Sequence, residues 1–153
     1  MRYTLEDSIT IDRPAADVFA IVSDITRTGE WSPQCYACEW DGPDHSVGST
    51  FTGHNRTPQR EWSTTSRVVA DEPGVEFSWA IVASDVRWGY RLTDVDGTTT
   101  RLTEYTAFDA PGEAMFAERF GDDATAQIVV RLTAAVDGIP STLARIKEIA
   151  ESA

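Results

Sequence analysis

The 153-residue chain has two cysteines, two histidines and a single lysine, Lys147. Two cysteines cannot make a disulfide framework, and His45 and His54 alone cannot complete a zinc set with them. No glycine-rich phosphate loop and no Ser/His/Asp constellation is present, and with two histidines most hydrolase mechanisms lack a natural base. Basic residues are also scarce: 13 Lys and Arg stand against 25 Asp and Glu, for a net charge of −12. Nucleic acid and anionic membranes both require a basic face, so neither is an expected partner. No apolar window approaches a membrane span, and the first ten residues, MRYTLEDSIT, lack the apolar segment of a signal peptide. These absences predict a soluble, cytoplasmic chain with no membrane insertion. There is no repeat, linker or low-complexity tract, so residues 1–153 are read as one domain with a sizeable core.

What the chain does have is a long amphipathic ending. From Ala124 to Ala153, the residues Ile128, Leu132, Val136, Ile139, Leu143, Ile146 and Ala150 recur at steps of three and four, one apolar stripe on a long helix. Pro140 removes a bond to the Val136 carbonyl, which predicts a kink near Gly138 within one continuous helix. Such a helix needs a broad apolar partner.

The preceding sequence supplies strands. Residues 2–11 alternate; a helix then starts near Pro14 with Asp12 or Arg13 as cap, burying Val18, Ile21, Val22 and Ile25. A short second helix spans 26–31. Strands are predicted at 36–41, 48–56, 61–71, 75–82, 85–95 and 99–108, punctuated by Gly42-Pro43, Thr57-Pro58, Pro73-Gly74 and Asp96-Gly97. Such short turns make the strands antiparallel. The expected pairings place Asn55 opposite Trp62. A two-residue turn at Ser84-Asp85 sets Ile81 opposite Trp88, Trp79 opposite Tyr90 and Phe77 opposite Leu92. A bulged turn at 96–98 sets Leu92 opposite Leu102 and Tyr90 opposite Glu104. One concave face then carries Trp62, Phe77, Trp79, Trp88, Tyr90, Leu92 and Glu104. A curved sheet around one helix leaves a gap lined by stiff aromatics, suited to an apolar small molecule; the alternative is that the same aromatics fill a solid core.

Several phrases, in order and spacing, carry a family resemblance over the whole chain. They are Ile9-Thr10-Ile11-Asp12-Arg13-Pro14 with Asp17-Val18-Phe19, Asp24 before Glu30-Trp31-Ser32-Pro33, Val47-Gly48 with Phe51, Trp62 through Val68 to Pro73, Gly97-Thr98 with Leu102, and Thr142-Leu143-Ala144-Arg145-Ile146-Lys147. With them the chain resembles the START-like helix-grip superfamily of polyketide cyclases, coenzyme Q-binding proteins and lipid-transfer domains. The resemblance implies an α+β helix-grip fold: a curved seven-stranded antiparallel sheet around a long C-terminal helix, with two short helices between the first two strands. It implies a cavity between sheet and helix, entered near the helix N-terminus. Residues 109–123 then look like a lid, with a short helix from Pro111 to Phe120 presenting Met115, Phe116 and Phe120. A passive connector packed on the sheet rim is the alternative.

Glu104 is the residue hardest to explain as packing. Parity with Leu102 and Phe108 turns it inward beside Tyr90, where a carboxylate is costly unless hydrogen-bonded or protonated. It is read as an anchor for a ligand polar group or as a general acid/base, with a structural pair to Tyr90 or Asn55, or an outward register, as the alternatives. In the aromatase/cyclase branch of the resembled group, an arginine on the fourth strand and a tyrosine just after the second helix line the pocket. Here the strand position falls on Val68, flanked by Ser66, Thr64 and Trp62, while Arg67 is predicted outward. Tyr36 fits only with a one-residue shift, and the position of Glu104 is aromatic in that branch. The lone Cys35-x-x-Cys38 enters a strand, where residues three apart should face opposite sides, so ordinary thiols are expected. His54 and Arg56 should alternate outward, on the surface or at the cavity rim.

The resulting expectation is a carrier or sensor of a small hydrophobic or aromatic molecule, acting as a monomer or homodimer with neither cofactor nor metal. Trp62, Phe77, Trp79, Trp88 and Tyr90 form the walls, Asn55 and Glu104 the anchors, and Met115, Phe116 and Phe120 the gate. Ile128 and Leu132 face the ligand from a movable N-terminal half of the helix, with the kink as hinge. Two other readings stand beside it: a cyclase or dehydratase using Glu104 and Tyr90, and a toxin-like or regulatory protein acting through a partner surface.

Overall fold

The computed structural model describes residues 1–153. The chain runs β1 (Tyr3–Ile11), α1 (Ala15–Val22), a 3-10 turn (Ile25–Glu30), β2 (Cys35–Trp40), β3 (Thr50–Thr57), β4 (Arg60–Glu72), β5 (Glu76–Ile81), β6 (Arg87–Asp94), β7 (Thr100–Phe108), α2 (Ala110–Phe120), a 3-10 turn (Gly121–Asp123) and α3 (Ala124–Glu151). All seven strands join one sheet in the order β1-β7-β6-β5-β4-β3-β2, and every pairing is antiparallel. This is the predicted α+β helix-grip architecture: one antiparallel sheet gripping a long C-terminal helix.

Local chemistry sets the turns. Gly74 and Gly97 have φ of 75° and 83°, the left-handed region open to glycine. At the second turn, the Asp94 carboxylate accepts from the Gly97 N–H at 2.7 Å, and Asp96 accepts from the Thr98 N–H at 3.0 Å. Helix α1 begins at Ala15 after Pro14, with no side-chain cap from Asp12 or Arg13. The following turn is capped by Asp24, which accepts from the Thr26 N–H.

One expected register is corrected. Residues 82–85 form the β5–β6 connection, closed by the Ile81 N–H donating to the Val86 carbonyl at 2.9 Å. Trp79 therefore lies opposite Trp88, and Phe77 opposite Tyr90. The loop is longer than the expected two residues, with Asp85 absorbing a positive φ of 55°. Because the shift is two residues, every side chain keeps its face. The β6–β7 and β3–β4 registers are as expected: Tyr90 opposite Glu104, Leu92 opposite Leu102, Asn55 opposite Trp62.

Helix α3 runs unbroken through Pro140. Pro140 is on the exposed side, where water can take the Val136 carbonyl it leaves unpaired. The apolar stripe is corrected at one place. Val136 is 52% exposed, and Ala135, 3% exposed, occupies the buried line instead. From Ile128, seven residues are close to two full turns, whereas eight overshoot onto the flank. The C-terminal half buries Ile139, Thr142, Leu143, Ile146 and Ala150 in the main core with Ile11, Val18, Val22, Trp31 and Leu102. The N-terminal half contributes Ile128 to a second, smaller cluster with Val86, Phe108 and Phe116.

Candidate ligand-binding groove

Helix α3 packs along β1 and β7, with α1 and α2 at its sides. Phe51, Val68 and Phe77 from β3 to β5 join the core around α3, but the inward face of the sheet is unevenly buried. Trp62, Trp79, Trp88, Asn55, Thr64 and Ile81 are all only half-buried, although the register turns them to the concave side. Phe77 and Tyr90 behave differently: at 1% and 4% exposure they belong to the main core. The predicted wall therefore divides into three accessible tryptophans and a packed backing. Trp79 joins the two, with ring centroids 6.0 Å from Phe51, 5.9 Å from Phe77 and 6.0 Å from Tyr90.

Glu104, opposite Tyr90 on the same inward face, is 6% exposed. Its Oε2 is buried and has no hydrogen-bond partner. Burial pushes its carboxyl up to about 8, which favours the neutral, protonated form at pH 7. Tyr90 opposite it is raised well above the ordinary phenol range, first by burial and then by the Glu104 charge, with the Trp31 indole pulling the other way. The alternative reading, a structural pair to Tyr90 or Asn55, does not occupy Oε2. Asn55 instead donates to the Gly53 carbonyl at 3.4 Å.

Helix α2 covers one end. Phe116 is 5% exposed; it meets Phe108 edge-on at 5.2 Å and Phe120 at 5.2 Å. Met115 and Phe120 flank the same cluster, and Ile128 completes it at 2% exposure. Of the two α3 residues expected to face a ligand, Ile128 thus packs against α2, and Leu132 is half-buried. The fit is close at Gly112, where an added Cβ would come within 3.1 Å of the Phe108 ring and 3.2 Å of the Ser84 carbonyl. Arg2 reaches Glu113 at 3.2 Å and ties α2 to the start of β1.

Two features escape the sequence reading. Arg131 lies 5.1 Å from the Phe116 ring and 5.7 Å from Phe120, Arg119 lies 4.9 Å from Phe120, and Arg60 stacks 3.7 Å over Trp62. Burial and the neighbouring arginines lower both Arg60 and Arg131. Three cations from separate elements of an acidic chain thus gather around α2, and no periodicity announces that.

The second feature corrects an expectation. Cys35 and Cys38 face the same side, with Sγ atoms 3.3 Å apart. A β-bulge places Tyr36 and Ala37 together opposite His54, so Cys35 stands opposite Asn55 and Cys38 opposite Gly53. Nothing in the strand pattern marks the extra residue.

The positions borrowed from the aromatase/cyclase pattern do not assemble. Val68 is 1% exposed in the core, and Arg67 is exposed. Tyr36 is 42% exposed, its hydroxyl donating to Glu61 at 2.7 Å. His54 bridges Ser63 and Glu39 on the outer face at 3.0 and 2.7 Å, and Arg56 stacks over Tyr36. Two surface hollows lie elsewhere: one of mixed lining, with Arg13, Asp17, Arg145 and Glu148 beside Ala20, Ile21 and Ile149, and one lined by Glu6, Asp7, Ser8, Arg101 and Thr103. The wholly polar lining of the second does not suit an apolar molecule.

Residues 2–139 match the family model described as "Polyketide cyclase / dehydrase and lipid transport". Among solved structures, the chain is similar to the Polyketide_cyc-like protein Cgl2372 from Corynebacterium glutamicum, at 44% identity over 99% of this chain and 93% of that one, TM-score 0.70. It shares its fold with the Zhui aromatase/cyclase from Streptomyces sp. R1128, at 17% identity over 99% and 94%, TM-score 0.76. The di-domain ARO/CYC StfQ from the steffimycin biosynthetic pathway matches at 14% identity over 99% of this chain and 51% of that one, TM-score 0.72. No curated protein matches significantly.

Proposed function

The chain belongs to the polyketide cyclase / dehydrase and lipid transport family, and from that premise we propose that it binds a small hydrophobic or aromatic molecule between the sheet and α3. The observation that carries this reading is Glu104: a buried carboxyl with an unpartnered oxygen, on the inward face that also carries three half-buried tryptophans. An unpaired buried polar atom is costly, of order 1–3 kcal/mol. A ligand hydroxyl or carbonyl reaching Oε2 would remove that cost, and flat apolar surface would cover Trp79 and Trp88. In this reading Trp62, Trp79, Trp88 and Leu132 contact the ligand. Phe77, Tyr90 and Ile128 hold those contacts from behind, Asn55 is a second polar anchor, and Met115, Phe116 and Phe120 form the gate. The mode of action is that of a carrier or sensor.

Native mass spectrometry of freshly purified protein, followed by tryptophan-fluorescence titration with aromatic hydroxy-ketones, tests this. Saturable quenching that is lost in Trp79→Ala supports the reading. Identical, non-saturating responses in both proteins reject it.

One observation favours an enzymatic reading, of the cyclase or dehydratase kind. A neutral Glu104 with its carboxyl near 8 is suited to giving a proton to a carbonyl and taking one back, and aromatic walls can hold a reactive chain folded. Glu104→Gln separates the two readings: a carrier keeps its function with that variant, whereas an enzyme keeps binding and loses turnover.

A further inference from the structure

The paired sulfurs of β2 have no part in the ligand reading. Cys35 and Cys38 are both half-buried and unbridged, and their Sγ atoms approach to 3.3 Å. Residues three apart in a regular strand diverge to opposite faces. Here the bulge at Tyr36–Ala37 makes the two cysteines span only the interval between Asn55 and Gly53 on β3, two strand steps or about 6.6 Å. That is within the Cα separation a disulfide tolerates, up to about 6.8 Å. The sulfurs need to close by about 1.2 Å to reach bonding distance, about 2.05 Å. β2 is the outer strand of the sheet, held on one side only, so its backbone can supply that movement. Opposite the pair is Gly53: a Cβ there would lie 3.4 Å from one sulfur and 3.5 Å from the other, so the partner strand presents no side chain between them.

A metal is a poor occupant. No group of three or more His, Cys, Asp or Glu side chains converges here, and the nearest histidine, His54, is turned to the outer face toward Glu39 and Ser63. Two thiols alone do not make a zinc site.

We propose that Cys35 and Cys38 are a thiol–disulfide exchange site, a dithiol that reduces a low-molecular-weight disulfide and itself closes into a disulfide on the concave face of β2. The roles are unequal. Either sulfur could donate across the 3.3 Å pair, but Cys35 Sγ also faces the Ala37 carbonyl, an acceptor at 3.4 Å. Cys35 is thus placed to keep its proton, with Cys38 as the attacking thiolate, and the shared proton pulls the same way, lowering Cys38 and raising Cys35. It forms a bond to one sulfur of RS–SR while the S–S bond breaks, and RS⁻ leaves and takes a proton. Cys35 then loses its proton and attacks the Cys38 sulfur. The intramolecular S–S bond forms, the mixed disulfide breaks, and a second RSH departs. Two electrons and two protons pass from the dithiol to the disulfide. The site stands on the bulge and the sulfur separation and is independent of which ligand the groove holds.

Cystamine, a small cationic disulfide suited to an acidic chain, is the probe. Full-length protein is incubated with increasing cystamine under nitrogen, quenched with N-ethylmaleimide and weighed intact. The expected product is a monomer two hydrogens lighter that takes no maleimide and carries no retained cysteamine. Cys35→Ser should stop at a stable adduct of one cysteamine on Cys38. Cys38→Ser should react at least about tenfold more slowly, and the two variants should react alike in urea, where the pairing is gone. The proposal is overturned if the native protein keeps two maleimide-reactive thiols at cystamine levels that oxidise the urea-unfolded chain. Disulfides only between chains, or equal rates for the two folded serine variants, overturn it as well.

Discussion

Tyr90 and Glu104 are direct cross-strand partners on β6 and β7, 4% and 6% exposed, yet Glu104 Oε2 has no hydrogen bond. A phenol and a carboxyl forced side by side in an apolar interior settle the charge question by protonation. Burial holds the Glu104 carboxyl near 8, far above the carboxylate of an unfolded chain, about 4.3.

That displacement has a sign. Between about pH 4.3 and 8 the folded protein holds a proton that the unfolded chain has released, so stability falls as pH rises through this window. The contribution is fully present below the unfolded value and gone above about pH 8. Its size is on the order of a few kcal/mol. Glu104→Gln should match the parent near pH 5 and exceed it at pH 8.5 in urea melts. Parallel stability curves for the two proteins across that range would contradict the protonated state.

Phe116→Ala tests the lid. Phe116 is buried among Phe108, Ile128 and Val86, so truncation should cost about 3 kcal/mol. Hydrogen exchange should rise first over α2, residues Ala110–Phe120, before it rises in the sheet. Uniform loss of protection would mean that the lid is part of the global folding unit.

Gly89→Ala should be damaging for a reason opposite to cavity formation. The new Cβ would lie 2.6 Å from Ser78 Cβ and 2.7 Å from the Tyr105 ring. On this outer face Tyr105 lies across Gly89, donates to Glu76 at 2.8 Å and carries Arg91 3.8 Å above its ring. Overpacking of this kind costs about 1–3 kcal/mol. Tyr105→Ala should recover part of that loss in the double variant, as a double-mutant cycle would measure.

The corrected stripe on α3 makes a paired prediction. Val136→Glu, at a position 52% exposed, should change stability by no more than about 0.5 kcal/mol. Ala135→Glu, at 3% exposure, buries a charge without a partner and should unfold the protein or cost several kcal/mol. Thermal melts of the two variants would separate the phases.

The arginines at the lid set a preference within the proposed ligand class. Arg60 lies over Trp62, Arg119 over Phe120 and Arg131 over Phe116. An aromatic probe with a carboxylate should therefore bind several-fold more tightly than its methyl ester, and the gap should narrow as salt rises. Arg131→Gln should shrink the gap without changing affinity for the ester. An unchanged ratio in fluorescence titrations would remove Arg131 from recognition.

The amino-acid pattern by itself determined the order of elements, the antiparallel sheet, the long helix and the inward face of Glu104. Those follow from alternation, turn residues and helical periodicity, which are local and survive small errors. The β5–β6 register shows the tolerance: a slip of two residues left Trp79, Trp88 and Tyr90 on the predicted face. Only the tertiary structure decided three other things. It separated Phe77 and Tyr90, packed as core, from Trp62, Trp79 and Trp88, which are only half-buried, because that depends on what packs over each position: Phe77 and Trp79 share β5, and Tyr90 and Trp88 share β6. It gathered the arginines at the lid, because they come from a hairpin and two helices distant in sequence. And it brought Cys35 and Cys38 together. One bulged residue reverses strand parity, and the extra residue is accommodated by the edge of the sheet, where a side-chain pattern carries no record of it.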